Sequence, residues 1–148
     1  MKIKNRIYFN YEDVLTMCHD LAFQIETWKP DLLVGIKRGG VVPALHLSHH
    51  LDKPMEIITW QTRDNSHQEH NQNLIEQILD GKRVVFVDDI NDSGVTITEI
   101  SHVYNVNNEM HNVMFATLIE KVDTSKRSDV SSLILGNDKW IVFPWEKV

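Results

Sequence analysis

The chain has 148 residues, 42% of them hydrophobic and 24% charged, and its 15 basic and 21 acidic residues give a formal net charge of -6. A chain of this size is expected to fold as one domain, residues 1–148, burying ~68% of its extended surface; the composition excludes a disordered tail or a fibre, and the acidic balance argues against a nucleic-acid partner. The lone Cys18 excludes an intrachain disulfide framework and an all-cysteine zinc site, and with no apolar run near the ~18 residues that span a bilayer and no signal-peptide core in Met1 to Asn10, a cytoplasmic chain with no membrane partner is expected.

Asn10 can cap a helix, with Asp13 as its capping-box partner. Val14, Met17, Cys18, Leu21 and Ile25 follow at helical spacing. Pro30 should end that helix near Trp28. Leu32 to Ile36 reads as a buried strand of a parallel sheet. Lys37 to Gly40 is a tight, positively charged turn, and Pro43 suits the first turn of a helix reaching Leu51. Met55 to Trp60 reads as the second strand, and Gln61 to Asn73 as a long, polar, solvent-facing loop of the kind that often carries function.

Leu74 to Leu79 makes a brief amphipathic helix stopped by Gly81, and Arg83 to Val87 is the strongest central-strand signal. Val95 to Val106 reads as helix and Asn112 to Ile119 as strand. Val130 to Leu135 and Trp140 to Phe143 are strand-like, with a turn at Gly136 and Asn137. Alternation of helices with continuous apolar strands predicts an α/β fold with a mostly parallel central sheet flanked by helices. In such sheets ligands bind at the carboxyl ends of the strands, and both polar glycine-bearing turns, 35–40 and 88–96, fall at such ends.

The most informative segment is Val84 to Thr96, Val-Val-Phe-Val-Asp-Asp-Ile-Asn-Asp-Ser-Gly-Val-Thr. Its strand is expected to terminate in Asp88 and Asp89. Adjacent carboxylates at a strand end repel and desolvate badly, but make sense facing a divalent cation or a polyol. The turn Asp92 to Thr96 offers backbone donors, two hydroxyls and a helix N-terminus, the parts of a phosphate cradle.

This segment resembles the phosphoribosyl-pyrophosphate signature of type I phosphoribosyltransferases, and is most similar to that of the small bacterial xanthine-guanine (6-oxopurine) enzymes. Gly35 to Pro43 resembles the family's pyrophosphate loop. Ile119-Glu120-Lys121 resembles the strand end with the purine-reading lysine, and Trp140 to Trp145 the C-terminal purine-stacking segment. The resemblance spans most of the chain and implies a short C-terminal purine-binding hood. It implies that Asp88 and Asp89 hold the ribose hydroxyls, Asp89 also standing near Mg²⁺. Asp92, Ser93, Gly94, Val95 and Thr96 would wrap the 5'-phosphate, Asp92 also serving as acid/base at purine N7. Lys37, Arg38 and Gly39 would form the pyrophosphate site, with a cis bond before Arg38. Lys121 would donate to purine O6, Trp140 would stack on the base, and the Ile141 backbone would accept from the 2-position group. Arg63 in the polar loop is the candidate cover for the pyrophosphate.

The expected reaction is Mg²⁺-dependent transfer of a phosphoribosyl group from phosphoribosyl pyrophosphate to N9 of guanine, xanthine or hypoxanthine. The alternatives are another base acceptor, or a nonenzymatic nucleotide-sensing or RNA-binding regulator on the same scaffold. The resemblance further implies a homodimer or homotetramer. Val142 and Phe143 depart from the more polar residues of relatives and leave the choice of base open. His67 and His70 receive no role, and Trp28, Trp60, Trp145 and Cys18 read as packing residues.

Overall fold

The computed structural model describes residues 5–62, 67–104 and 111–146. Strand β1 (Asn5–Tyr8) leads into helix α1 (Tyr11–Glu26). Both capping-box bonds form: Asp13 N donates to Asn10 Oδ1 and Asn10 N to Asp13 Oδ2, each at 2.8 Å. Then come β2 (Leu32–Lys37), α2 (Val41–Leu51), β3 (Met55–Thr59) and α3 (Gln72–Leu79). The C-terminal half holds β4 (Val84–Asn91), α4 (Val95–Tyr104), β5 (Val113–Lys121), β6 (Val130–Leu135) and β7 (Lys139–Val142).

Five strands form one parallel sheet in the order β3-β2-β4-β5-β6. On one face α1 and α2 bury Val14, Leu21, Ile25, Ala44 and Leu47 against Leu33, Val85, Val87 and Leu118. On the other, α3 and α4 bury Leu74, Ile78, Ile97, Ile100 and Tyr104 against Val34, Ile36 and Phe86. The central strands are apolar on both sides because both faces are covered. Cys18 lies in the first cluster, and burial pushes its thiol up to about 11, so it packs as a small apolar group. No helix among the described residues is long and apolar enough to cross a membrane.

The structure corrects the sequence reading at three places. Strand β4 does not stop at the two aspartates. It runs on to Asn91, because Asp88, Ile90 and Asn91 stay in register with Thr117, Ile119 and Glu120 of β5. The N-terminal segment, read only as lacking a signal, supplies β1. It pairs in parallel with β7, Ile7 opposite Ile141, so the hood is built from both ends of the chain rather than from the C-terminus alone. The polar loop is partly paired: Trp60 bridges to Gln68, Gln61 N donates to the His67 carbonyl at 2.9 Å, and α3 begins at Gln72 because Asn71 Oδ1 caps Leu74 N at 3.0 Å. Helix α4 is described to Tyr104, and the rest of the segment expected to reach Val106 lies outside the described residues.

Candidate active site

The site lies at the carboxyl edge of the sheet, where β2 and β4 end beside each other. Asp88 and Asp89 are consecutive on β4, and the chain folds their carboxylates back onto its own backbone. Asp88 Oδ1 accepts from Asp89 N at 2.8 Å, and Asp89 Oδ1 accepts from Ile90 N at 2.7 Å. Burial pushes the Asp88 carboxyl well above the ordinary aspartate range, and the neighbouring Asp89 charge adds to it. Asp89 is also raised, by burial, against the lowering effect of its hydrogen bonds. A pair held this way favours a proton, a cation or a hydroxyl-bearing ligand as its partner.

Across the cleft stands the turn Asp92–Thr96. Gly94 has φ +90, and a Cβ there would lie 2.5 Å from Lys126 N, so only glycine fits both the conformation and the space. Val95 N donates to Ser93 Oγ at 3.3 Å as α4 begins. Asp88, Asp89, Asp92, Ser93, Gly94 and Thr96 line one cavity of about 310 Å³, with Thr62 and Thr117 at its walls. Asp92 is exposed to solvent, and Val95 is the first residue of α4. A second cavity of about 300 Å³, lined by residues including Ser101, His111, Lys126 and Arg127, gathers none of the predicted site residues.

The β2–α2 turn packs against β4 beside Asp89. The Lys37–Arg38 peptide bond is cis, and the Lys37 and Arg38 side chains are exposed. A Cβ on Gly39 would lie 2.0 Å from Asp89 Oδ2, and one on Gly40 would lie 2.1 Å from the Val87 carbonyl oxygen. The two glycines therefore bring this turn into contact with β4. Gly40 caps α2 without a side-chain hydrogen bond.

The hood meets the sheet through Lys121, at the end of β5 and only 5% exposed. Its Nζ donates to the Lys139 carbonyl and, at 3.4 Å, to the Gly136 carbonyl, which leaves a third N–H donor. Along a parallel strand, the N–H and C=O of one residue face the same edge and alternate with the next. Phe9 N donates to the Val142 carbonyl, so the Ile141 carbonyl faces away from β1, on the edge where Lys121 meets Lys139. Trp140 is half exposed at 52%. Trp145 stacks on Phe143 with centroids 4.9 Å apart, Trp60 is buried, and Arg83 lies 4.3 Å over the Trp28 ring, all in packing roles. Arg63 lies outside the described residues.

Sequence reasoning missed three acidic or amide side chains at this edge. Glu146 follows the hood, and its carboxyl is raised by burial and by the charge of Asp89. Asn91 and Glu120 are buried polar residues. Their signal was available: each is a polar residue continuing an apolar strand, where a core residue is the default.

A profile of the phosphoribosyl transferase domain family matches residues 8–147. The xanthine-guanine phosphoribosyltransferase of Cereibacter sphaeroides is 29% identical over 136 residues, covering 85% of this chain and 78% of that protein. The crystal structure of a purine phosphoribosyltransferase from Pyrococcus horikoshii superposes with a TM-score of 0.76 at 30% identity, over 97% of this chain and 95% of that one. A Helicobacter pylori xanthine-guanine-hypoxanthine phosphoribosyltransferase shares the fold, with a TM-score of 0.75 at 22% identity over 97% of this chain and 93% of its own. With the match running almost end to end, the chain belongs to the phosphoribosyl transferase domain family, enzymes that transfer pentosyl groups.

Proposed function

We propose that this chain, as a single catalytic domain, transfers the 5-phosphoribosyl group of phosphoribosyl pyrophosphate to N9 of a 6-oxopurine and releases pyrophosphate. The observation that carries the reading is the half-buried Asp88–Asp89 pair lining one cleft together with Asp92, Ser93, Gly94 and Thr96 of the turn. A carboxylate pair accepts from vicinal hydroxyls, and a turn with a positive-φ glycine at a helix start receives a phosphate. The xanthine-guanine enzyme of C. sphaeroides and the purine enzyme of P. horikoshii support the choice of acceptor.

In this reading Asp88 and Asp89 hold the ribose 2'- and 3'-hydroxyls. Ser93, Gly94, Val95 and Thr96 wrap the 5'-phosphate with Asp92, and Asp92 holds or relays the proton at purine N7. Lys37, Arg38 and Gly39 take the pyrophosphate, with Arg63 as its cover, and exclude water from the activated sugar. Lys121 directs its remaining N–H at purine O6, Trp140 stacks on the base, and the Ile141 carbonyl accepts from the 2-position group. A lysine donor opposite the base disfavours adenine, whose amino group is also a donor.

The donor set fits Mg²⁺. Asp88 and Asp89 offer hard oxygens that form no ion pair among the described residues, and Mg²⁺ takes one or two carboxylates and completes its shell with phosphate and water. Among the described residues no group of three His, Cys, Asp or Glu side chains is gathered for a metal, which agrees with an ion carried in by the substrate. Bound there, Mg²⁺ supplies charge neutralisation for the leaving pyrophosphate. The same reading expects a cytoplasmic homodimer or homotetramer.

The test is pyrophosphate release with phosphoribosyl pyrophosphate and Mg²⁺, offering guanine, xanthine, hypoxanthine, adenine and uracil separately. Release with an oxopurine and none with adenine is expected. Release only with uracil or adenine, or with no base at all, overturns the reading.

A further inference from the structure

We infer that Glu120 is a positioning residue for the phosphoribosyl side of the cleft, holding the segment that walls the Asp92–Thr96 turn. The inference deepens the proposed function and rests on its assignment of that turn to the 5'-phosphate.

Glu120 is 3% exposed, and a carboxylate so deeply buried is costly unless its lone pairs are filled. They are filled. Oε1 accepts from Ser128 N at 2.6 Å, Ser128 Oγ at 2.9 Å and Asn91 Nδ2 at 3.0 Å, and Oε2 accepts from Arg127 Nη1 at 3.0 Å. Burial alone would push the carboxyl up, but these bonds outweigh it and hold it below the ordinary glutamate value, so the side chain stays ionised at neutral pH.

The partners show what the charge is for. Arg127 and Ser128 belong to the crossover 122–129 between β5 and β6. Asn91 ends β4, directly before Asp92; its Nδ2 also donates to the Lys126 carbonyl at 2.8 Å, and its Oδ1 accepts from Thr124 Oγ1 at 3.2 Å. Glu120 thus ties the crossover to the strand end from which the turn starts. The crossover in turn grips the turn itself: Ser125 N and Oγ both donate to the Ser93 carbonyl, at 3.0 and 2.6 Å, and Lys126 N packs against Gly94.

Neighbouring residues of β5 serve opposite ends of the cleft. Ile119 packs in the cluster on the α1 side, Glu120 turns to the crossover, and Lys121 turns back to the hood. A change at Glu120 should therefore touch the sugar phosphate and spare the base.

Glu120→Gln keeps the shape but sets an NH₂ against donors on at least one side. The expected result is a KM for phosphoribosyl pyrophosphate raised about tenfold, with the KM for the base and the ratio between bases changed less than about twofold. In the ligand-free protein, hydrogen exchange should quicken at residues 92–96 and 124–128 and stay unchanged at Val84–Val87. Unchanged exchange at 92–96, or exchange quickened equally throughout the sheet, overturns the inference. Should Glu120→Gln not fold, Arg127→Met removes the Oε2 partner, and with it the Nη2 bond to the exposed Val122 carbonyl at 3.3 Å, from a side chain that is 56% exposed, and the same local pattern is expected at smaller size. The exchange readout needs no substrate, so a native chain that releases no pyrophosphate removes the functional reading and leaves the Glu120 result to be judged by itself.

Discussion

Gly39 and Asp89 occupy adjoining space: a Cβ on Gly39 would lie 2.0 Å from Asp89 Oδ2 and 2.3 Å from its Cγ. The proposed pyrophosphate turn and the proposed ribose carboxylate are therefore fitted to each other, although fifty residues separate them in sequence. The obstructing atoms belong to a side chain that can rotate away. Gly39→Ala should therefore leave the fold within about 1 kcal/mol of the native chain but displace Asp89, lowering kcat/KM about a hundredfold. Gly40→Ala meets the Val87 carbonyl, which cannot move aside, and should cost about 1–3 kcal/mol of stability. Thermal melts and steady-state kinetics of the pair separate the two effects.

Asp88 and Asp89 make the ligand-free protein sensitive to pH in a defined sense. Both carboxyls are raised in the folded chain, Asp88 strongly, by burial and the neighbouring Asp89 charge, and Asp89 by burial against the lowering effect of its hydrogen bonds. Their favourable, protonated contribution is complete below the unfolded value near ~3.9 and is lost as pH rises through the raised native values. Asp88→Asn removes that loss. It should melt higher than the native chain at neutral pH, converge with it in acid, and show little activity. A variant no more stable at pH 7 than the native chain would contradict this account.

Asp92 is exposed at the mouth of the turn. If it handles the proton at N7, Asp92→Asn should lower kcat by roughly 10²–10⁴-fold. The melting temperature should hold, because little is buried there. Single-turnover measurement of nucleotide formation isolates the chemical step from product release.

Lys121 carries two loads, one to the Gly136 and Lys139 carbonyls and one, in our reading, to the base. Lys121→Met should cost about 1–3 kcal/mol, since two carbonyls lose their donor, and should narrow the preference for oxopurines over adenine. Stability loss with an unchanged base preference would leave Lys121 as a strut of the hood only.

Trp140 is half exposed, so Trp140→Ala should change stability little. Loss of stacking is worth about 1–3 kcal/mol per base, which predicts a KM for the base raised about tenfold or more. The KM for phosphoribosyl pyrophosphate should stay near its native value.

Much of this architecture was legible because its causes are local. Asn10 and Asp13 announce the capping box of α1, Arg83 to Val87 is the strongest central-strand signal, and the Asp-Asp-Ile-Asn-Asp-Ser-Gly run carries both the carboxylate pair and the glycine that the turn requires. Periodicity, capping and steric rules act over a few residues, so the chain itself displays them.

What escaped is nonlocal. Asn5 to Tyr8 lies in a stretch of alternating polar and apolar residues that names no partner, and it becomes β1 where β7, at the other end of the chain, offers it a ladder. Strand β4 continues past its paired charges because β5 keeps register with it. Glu120 is an ordinary polar letter in the sequence and becomes a filled, ionised anchor only where β4, β5 and the crossover meet. The chain by itself determined the elements and the chemistry at the strand ends; tertiary structure decided which of those ends face one another, because a hydrogen bond or a buried charge is settled by its partner as much as by its own residue.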